Sequence, residues 1–225
     1  MKKNDDARVP RKMKQALERE LHSHVETHLQ ADHFEHIKVA HAAASRLEQG
    51  RAKPRAHRVF ASLKIYSTDL GRVARAGLRE LQPGGWVLLA ETGPGLLAKV
   101  EIQEREKDYS VARVTTGAVA NDLDRAVRQA QKPASRRRTQ ELRFLSVPAM
   151  HIMAVWSHFP KHPQSDTFTP ISLNFAGLRQ RRTYSRAATE KGLRRHATDL
   201  IVHWYERYQR ETKQKTTEEA GKTGN

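Results

Sequence analysis

An α+β fold is predicted, and three observations carry it. Short segments of alternating apolar and polar residues are joined by tight turns, which is the signature of antiparallel strands. Helical stripes of period 3.6 lie between the two groups of strands. The excess of Lys and Arg over Asp and Glu is 5 in residues 1–60, 1 in residues 61–131 and 10 in residues 132–225, which leaves a nearly neutral centre between basic ends. The expected order is helix, three strands, helix, three strands. It gives an antiparallel sheet of about five to six strands with helices on one face, an N-terminal helical segment and a C-terminal amphipathic helix.

The elements follow in chain order. From Pro10 to Gly50, Met13, Leu17, Leu21, Val25 and Leu29 step by four and hold one helix face. Asp32 and Glu35 have capping-box spacing and open a second helix carrying Phe34, Ile37, Ala40, Ala44 and Leu47. One long, slightly bent helix is the alternative. Phe60–Tyr66 reads as a short strand or extended chain. Leu70, Val73, Ala74, Gly77, Leu78 and Leu81 predict a helix over 68–81, ended by Gln82-Pro83-Gly84-Gly85. Strands are expected at Trp86–Glu91, Leu97–Arg105 and Tyr109–Thr115. Val119, Leu123, Ala126, Val127 and Ala130 form the stripe of the next helix. After a basic linker at 132–139 come strands at Leu142–Val147, Met150–His158 and Thr167–Leu173. Leu193, Ala197, Leu200, Ile201, Trp204 and Tyr208 then mark an amphipathic helix, and the polar tail is expected to be disordered. The resulting divisions are residues 1–58, 59–176, 177–212 and 213–225.

Composition narrows the chemistry. The chain has no cysteine, so disulfides, thiolate nucleophiles and cysteine-held metal centres are excluded. No apolar run approaches the length of a membrane span, and no apolar stretch follows Lys2 and Lys3 as a secretory signal would require. A soluble, cytoplasmic protein is expected. Gly93-Pro94-Gly95 precedes a strand and lacks the Lys-Ser/Thr of a phosphate loop, and no nucleophile elbow frames a serine. Arg51 and His57 match a ribonuclease spacing in two letters only, with Pro54 between them. The expectation is a non-enzymatic protein without a cofactor.

Two histidine groups have ligand spacing: His24 with His28 on the N-terminal helix, and His196, Asp199 and His203 on the last. Solvated helix faces explain both patterns, and no metal site is assigned. The basic clusters carry the functional expectation. Arg136, Arg137 and Arg138 occupy the linker. Arg179, Arg181, Arg182 and Arg186 surround Tyr184, and Lys191, Arg194 and Arg195 continue onto the helix. Arginine makes forked contacts to phosphate and stacks on bases, and Tyr184 would supply a stacking platform. Nucleic acid, DNA or RNA, or another polyanion is therefore the first expected partner.

The helix–three strands–helix–strands–helix order over Thr68 to Arg210 resembles that of small type III secretion chaperone-like domains. The resemblance implies an adaptor whose sheet and helices bind a protein partner. Leu200, Ile201, Trp204 and Tyr208 would then face that partner or a second copy. A membrane partner is not expected, although the same stripe with flanking arginines would suit an anionic lipid surface.

Overall fold

In a computed structural model, the structure describes residues 10, 12, 13, 15, 16, 58–93, 96–105, 108–132, 140–171, 177–180 and 182–222. The elements are β1 (Arg58–Ser67), α1 (Leu70–Ala76), β2 (Gln82–Gly93), β3 (Leu96–Arg105), β4 (Asp108–Thr116), α2 (Ala118–Ala130), β5 (Glu141–Val147), β6 (Ile152–His158), β7 (Thr167–Pro170), β8 (Tyr184–Ser185) and α3 (Arg186–Lys222). Short 3-10 turns at Pro148–Met150 and Pro163–Ser165 punctuate the second half.

The eight strands among the described residues form one mixed sheet in the order β4-β3-β2-β1-β5-β6-β7-β8. Two antiparallel meanders run outward from its middle, as the short turns require. They meet where β1 and β5 pair in parallel, Lys64 opposite Arg143 and Tyr66 opposite Leu145. The expectation of a purely antiparallel sheet of five to six strands is corrected on both counts. α2 returns the chain from the edge strand β4 to the centre, and such a crossover permits the parallel pair. β1, read from sequence as marginal, is a central ten-residue strand.

The helices cover both faces, which corrects the one-face expectation. Successive side chains of a strand point to opposite sides. On one side, Leu63, Val87, Leu89, Phe144 and Val155 pack under Leu123, Ala126 and Val127 of α2. On the other, Leu145, Val147, Ala154, Trp156 and Phe168 pack under Val73 of α1 and Leu193 and Ala197 of α3. Met13 closes the rest of this second side, against Leu88, Ala90, Ala98, Val100 and Ile102.

α1 is shorter than its periodicity suggests. Asp69 caps its start by accepting the Arg72 backbone N–H at 2.8 Å. Gly77 ends it at φ +64°, a backbone state that disfavours side chains. The Leu78 N–H then donates to Glu190 Oε1 on α3 at 3.1 Å. At the other end of the chain, residues 213–222 continue α3 where a disordered tail was expected. The N-terminal helices expected beyond Ala16, with the capping box at Asp32, lie outside the described residues.

Candidate interaction surface

α3 spans 37 residues, about 55 Å at the helical rise. Ser185 starts it: its Oγ accepts the Ala188 N–H at 3.3 Å, while its carbonyl accepts from Thr189 Oγ1 at 2.9 Å. Leu193, Ala197, Leu200, Ile201, Trp204 and Tyr208 fall at i, i+4, i+7, i+8, i+11 and i+15, so they make one continuous stripe. The body covers only its first part. Leu193 and Ala197 are fully buried, and Leu200 packs at the edge of the same cluster. Beyond that edge, Ile201, Val202, Trp204, Tyr205 and Tyr208 are exposed, Trp204 to 67% and Tyr208 to 54%.

The exposed aromatic residues are ordered by their own helix. The Trp204 and Tyr208 rings stack, with centroids 5.8 Å apart and planes 14° from parallel. Tyr205 Oη accepts from Gln209 Nε2 at 3.0 Å. The neighbouring charges cancel: Arg207 pairs with Glu211 at 2.8 Å, and Arg210 lies 3.9 Å from Glu206, both one turn along. Exposed pairs of this kind contribute little to stability. They do remove net charge from the patch.

The inner half of α3 uses its cations differently. Arg186 reaches Asp166 Oδ2 at 3.5 Å and donates to the Leu78 carbonyl. Asp166 is fully buried and also accepts from Trp156 Nε1 at 2.9 Å and the Phe159 N–H at 2.9 Å, with His158 Nδ1 at 3.0 Å. This buried carboxylate ties β6, the loop after it and the start of α3 together. Arg194 lies against α1, where a Cβ on Gly77 would stand 2.8 Å from its Nε. Arg186 and Arg194 are therefore half-buried parts of the fold. Tyr184 is half-buried too, and its hydroxyl accepts the Arg179 N–H at 2.8 Å. A role as an open stacking platform does not match that placement.

Arg179, Arg182, Lys191 and Arg195 are exposed, with no ion pair among the described residues. α1 lies beside this part of α3 and adds exposed Arg75, and the turn after α1 adds exposed Arg79; sequence reasoning passed over both. Their signal was present: Arg72, Arg75 and Arg79 recur at i, i+3 and i+7, off the apolar stripe. Arg136, Arg137, Arg138 and Arg181, as well as His24 and His28, lie outside the described residues. His196 is half-buried, Asp199 and His203 are exposed, and no metal-holding group of three or more such side chains forms among the described residues.

A second polar group sits on the sheet side that α1 and α3 share. Lys64, Trp86 and Arg143 stand in adjacent register on β1, β2 and β5. Lys64 bonds Glu104 and lies 4.9 Å from the Trp86 ring centre; Arg143 lies 4.8 Å from that of Tyr66 and 4.9 Å from that of Trp156. The hydrogen bond from Lys64 holds Glu104 below its ordinary carboxylate pKa. Arg143 pairs with Glu141 at 2.7 Å. These cations are occupied within the fold.

No family model, curated protein or solved structure matches the chain. Among the described residues, no helix is long and apolar enough to cross a membrane.

Proposed function

We propose that this chain is a protein-interaction module that contacts its partner through the aromatic outer half of α3. One observation supports the reading above all others: the stripe that buries Leu193 and Ala197 continues past the body as exposed Ile201, Trp204 and Tyr208. Aromatic residues in such a position supply contact area at low conformational cost, and contiguous exposed apolar surface marks interaction sites. The type III secretion chaperone-like element order is compatible with an adaptor role, but the proposal stands on α3.

The test is a photo-crosslinking amino acid at position 205 in cells producing the chain, with position 75 as an exposed control. A discrete protein adduct at 205 and not at 75 is expected. Identical adduct patterns at both positions would sink the reading.

A second reading, nucleic-acid binding, draws on the exposed and unpaired set Arg179, Arg182, Lys191 and Arg195 in a chain of net charge +16. It would be dominated by phosphate contacts and would weaken steeply with salt. Labelled single-stranded DNA, duplex DNA and RNA titrated across a salt series decide it. Binding that falls, with a flatter salt slope, when all four residues become Ala supports it. Negligible binding of the intact chain at physiological salt removes it.

A further inference from the structure

We infer that the partner of the α3 aromatic patch is a second copy of this chain, the two outer helix halves pairing about a two-fold axis. The inference rests on the interaction-module reading and gives that surface its occupant.

Charge is the first argument. The chain carries +16, yet the four charged residues between Ile201 and Thr212 are Glu206, Arg207, Arg210 and Glu211, which sum to zero. Both arginines face a glutamate of the same helix. A polyanionic or anionic-lipid partner would be matched by unpaired cations beside the aromatic residues, and this segment offers none. A copy of the same neutral patch meets no local repulsion.

Placement is the second argument. The patch begins where Leu200 leaves the body, and Tyr208 lies about 12 Å further along the helix. The contact is therefore made outside the basic inner half of α3, and the repulsion that remains between the two bodies is screened further as salt rises.

Area and order supply the third. The exposed parts of Ile201, Trp204, Tyr205 and Tyr208, which share one helix face, offer on the order of 500 Å² per copy. Two copies together reach about 1,000 Å², the lower bound of a specific interface. Trp204 and Tyr208 are already stacked, and Tyr205 is already held by Gln209, so little rotamer freedom remains to be lost. A symmetric contact also needs only one patch, because a two-fold interface is self-complementary. A dimer in the micromolar range is expected.

Analytical ultracentrifugation of the full chain, from low to high micromolar concentration and at two salt concentrations, tests this. The expected result is a reversible monomer–dimer equilibrium that tightens as salt rises, because salt screens the repulsion between the bodies. Nucleic-acid binding has the opposite salt dependence. Trp204→Glu with Tyr208→Glu should raise the dissociation constant at least about tenfold, and unchanged far-ultraviolet circular dichroism would show that the fold is kept. A chain that stays monomeric throughout overturns self-pairing while leaving the interaction module standing. A dimer indifferent to the double variant overturns self-pairing through α3 and removes the support α3 gives the module.

Discussion

Leu193 and Trp204 lie on one stripe of one helix, eleven residues apart, in opposite surroundings. Leu193 is fully buried beneath α1 and the sheet, whereas Trp204 exposes 67% of its surface. The charges divide along the same line. In the inner half, Arg186 and Arg194 turn toward the body and help seat the helix. In the outer half, Arg207 and Arg210 pair along the helix and seat nothing. Helical periodicity therefore reports a face that needs cover. It does not report whether that cover comes from the same chain.

The comparison breaks first at Leu193. If the inner stripe anchors α3, Leu193→Ala leaves a cavity between α1, α3 and the sheet and costs about 3 kcal/mol. Urea denaturation measures it, and a cost below about 1 kcal/mol would mean that α3 is not part of the cooperative core. The next effect is at Gly77, where α1 ends against Arg194. Alanine there must hold a positive φ and displace the guanidinium, so Gly77→Ala should cost about 1–2 kcal/mol. An unchanged midpoint would show that the α1–α3 contact tolerates a shift of Arg194.

Much of the fold was legible because its signals are local. The stripe Val119–Ala130 predicted α2, and Leu123, Ala126 and Val127 are indeed buried. Strands β2 to β7 fall where alternation and tight turns put them, with ends displaced by a few residues, whereas β8 lies in the arginine-rich segment where no strand was expected. The missed features are tertiary. Phe60–Tyr66 read only as a short strand or extended chain, and one face of β1 carries Ser62, Lys64 and Tyr66. Partners distant in sequence, Glu104, Trp86 and Arg143, make that face tenable at the centre of a sheet. The parallel pairing of β1 with β5 joins segments separated by three strands and two helices, and no turn signal records it. Gly77, counted as part of the α1 stripe, instead ends the helix, because Glu190 on α3 takes the next backbone donor. The candidate surface was legible as residues: Leu200, Ile201, Trp204 and Tyr208 were a stripe on sight. Their exposure depends on where the body ends, which spacing does not contain. The arginine cluster was legible as charge but not in its division: Arg186, Arg194 and Tyr184 serve the fold, while Arg179, Arg182, Lys191 and Arg195 stay exposed.

The smallest effect is expected at Trp204, and it is the most informative because it should be nearly absent. Trp204 touches its helix neighbour Tyr208 and stands clear of the core, so Trp204→Ala in dilute solution should change unfolding stability by no more than about 0.5 kcal/mol. For the bulkiest side chain type this is a sharp contrast with Leu193 on the same stripe. Concentration then separates a passive surface from a used one. A contact made only between folded copies adds stability by mass action, so the melting temperature of the intact chain should climb with protein concentration. That climb should vanish in Trp204→Ala, leaving the two chains equal when dilute and different when concentrated. A variant that is destabilised equally at every concentration would place Trp204 in the monomer's own packing. The division of α3 into an anchored and an offered half would then be wrong.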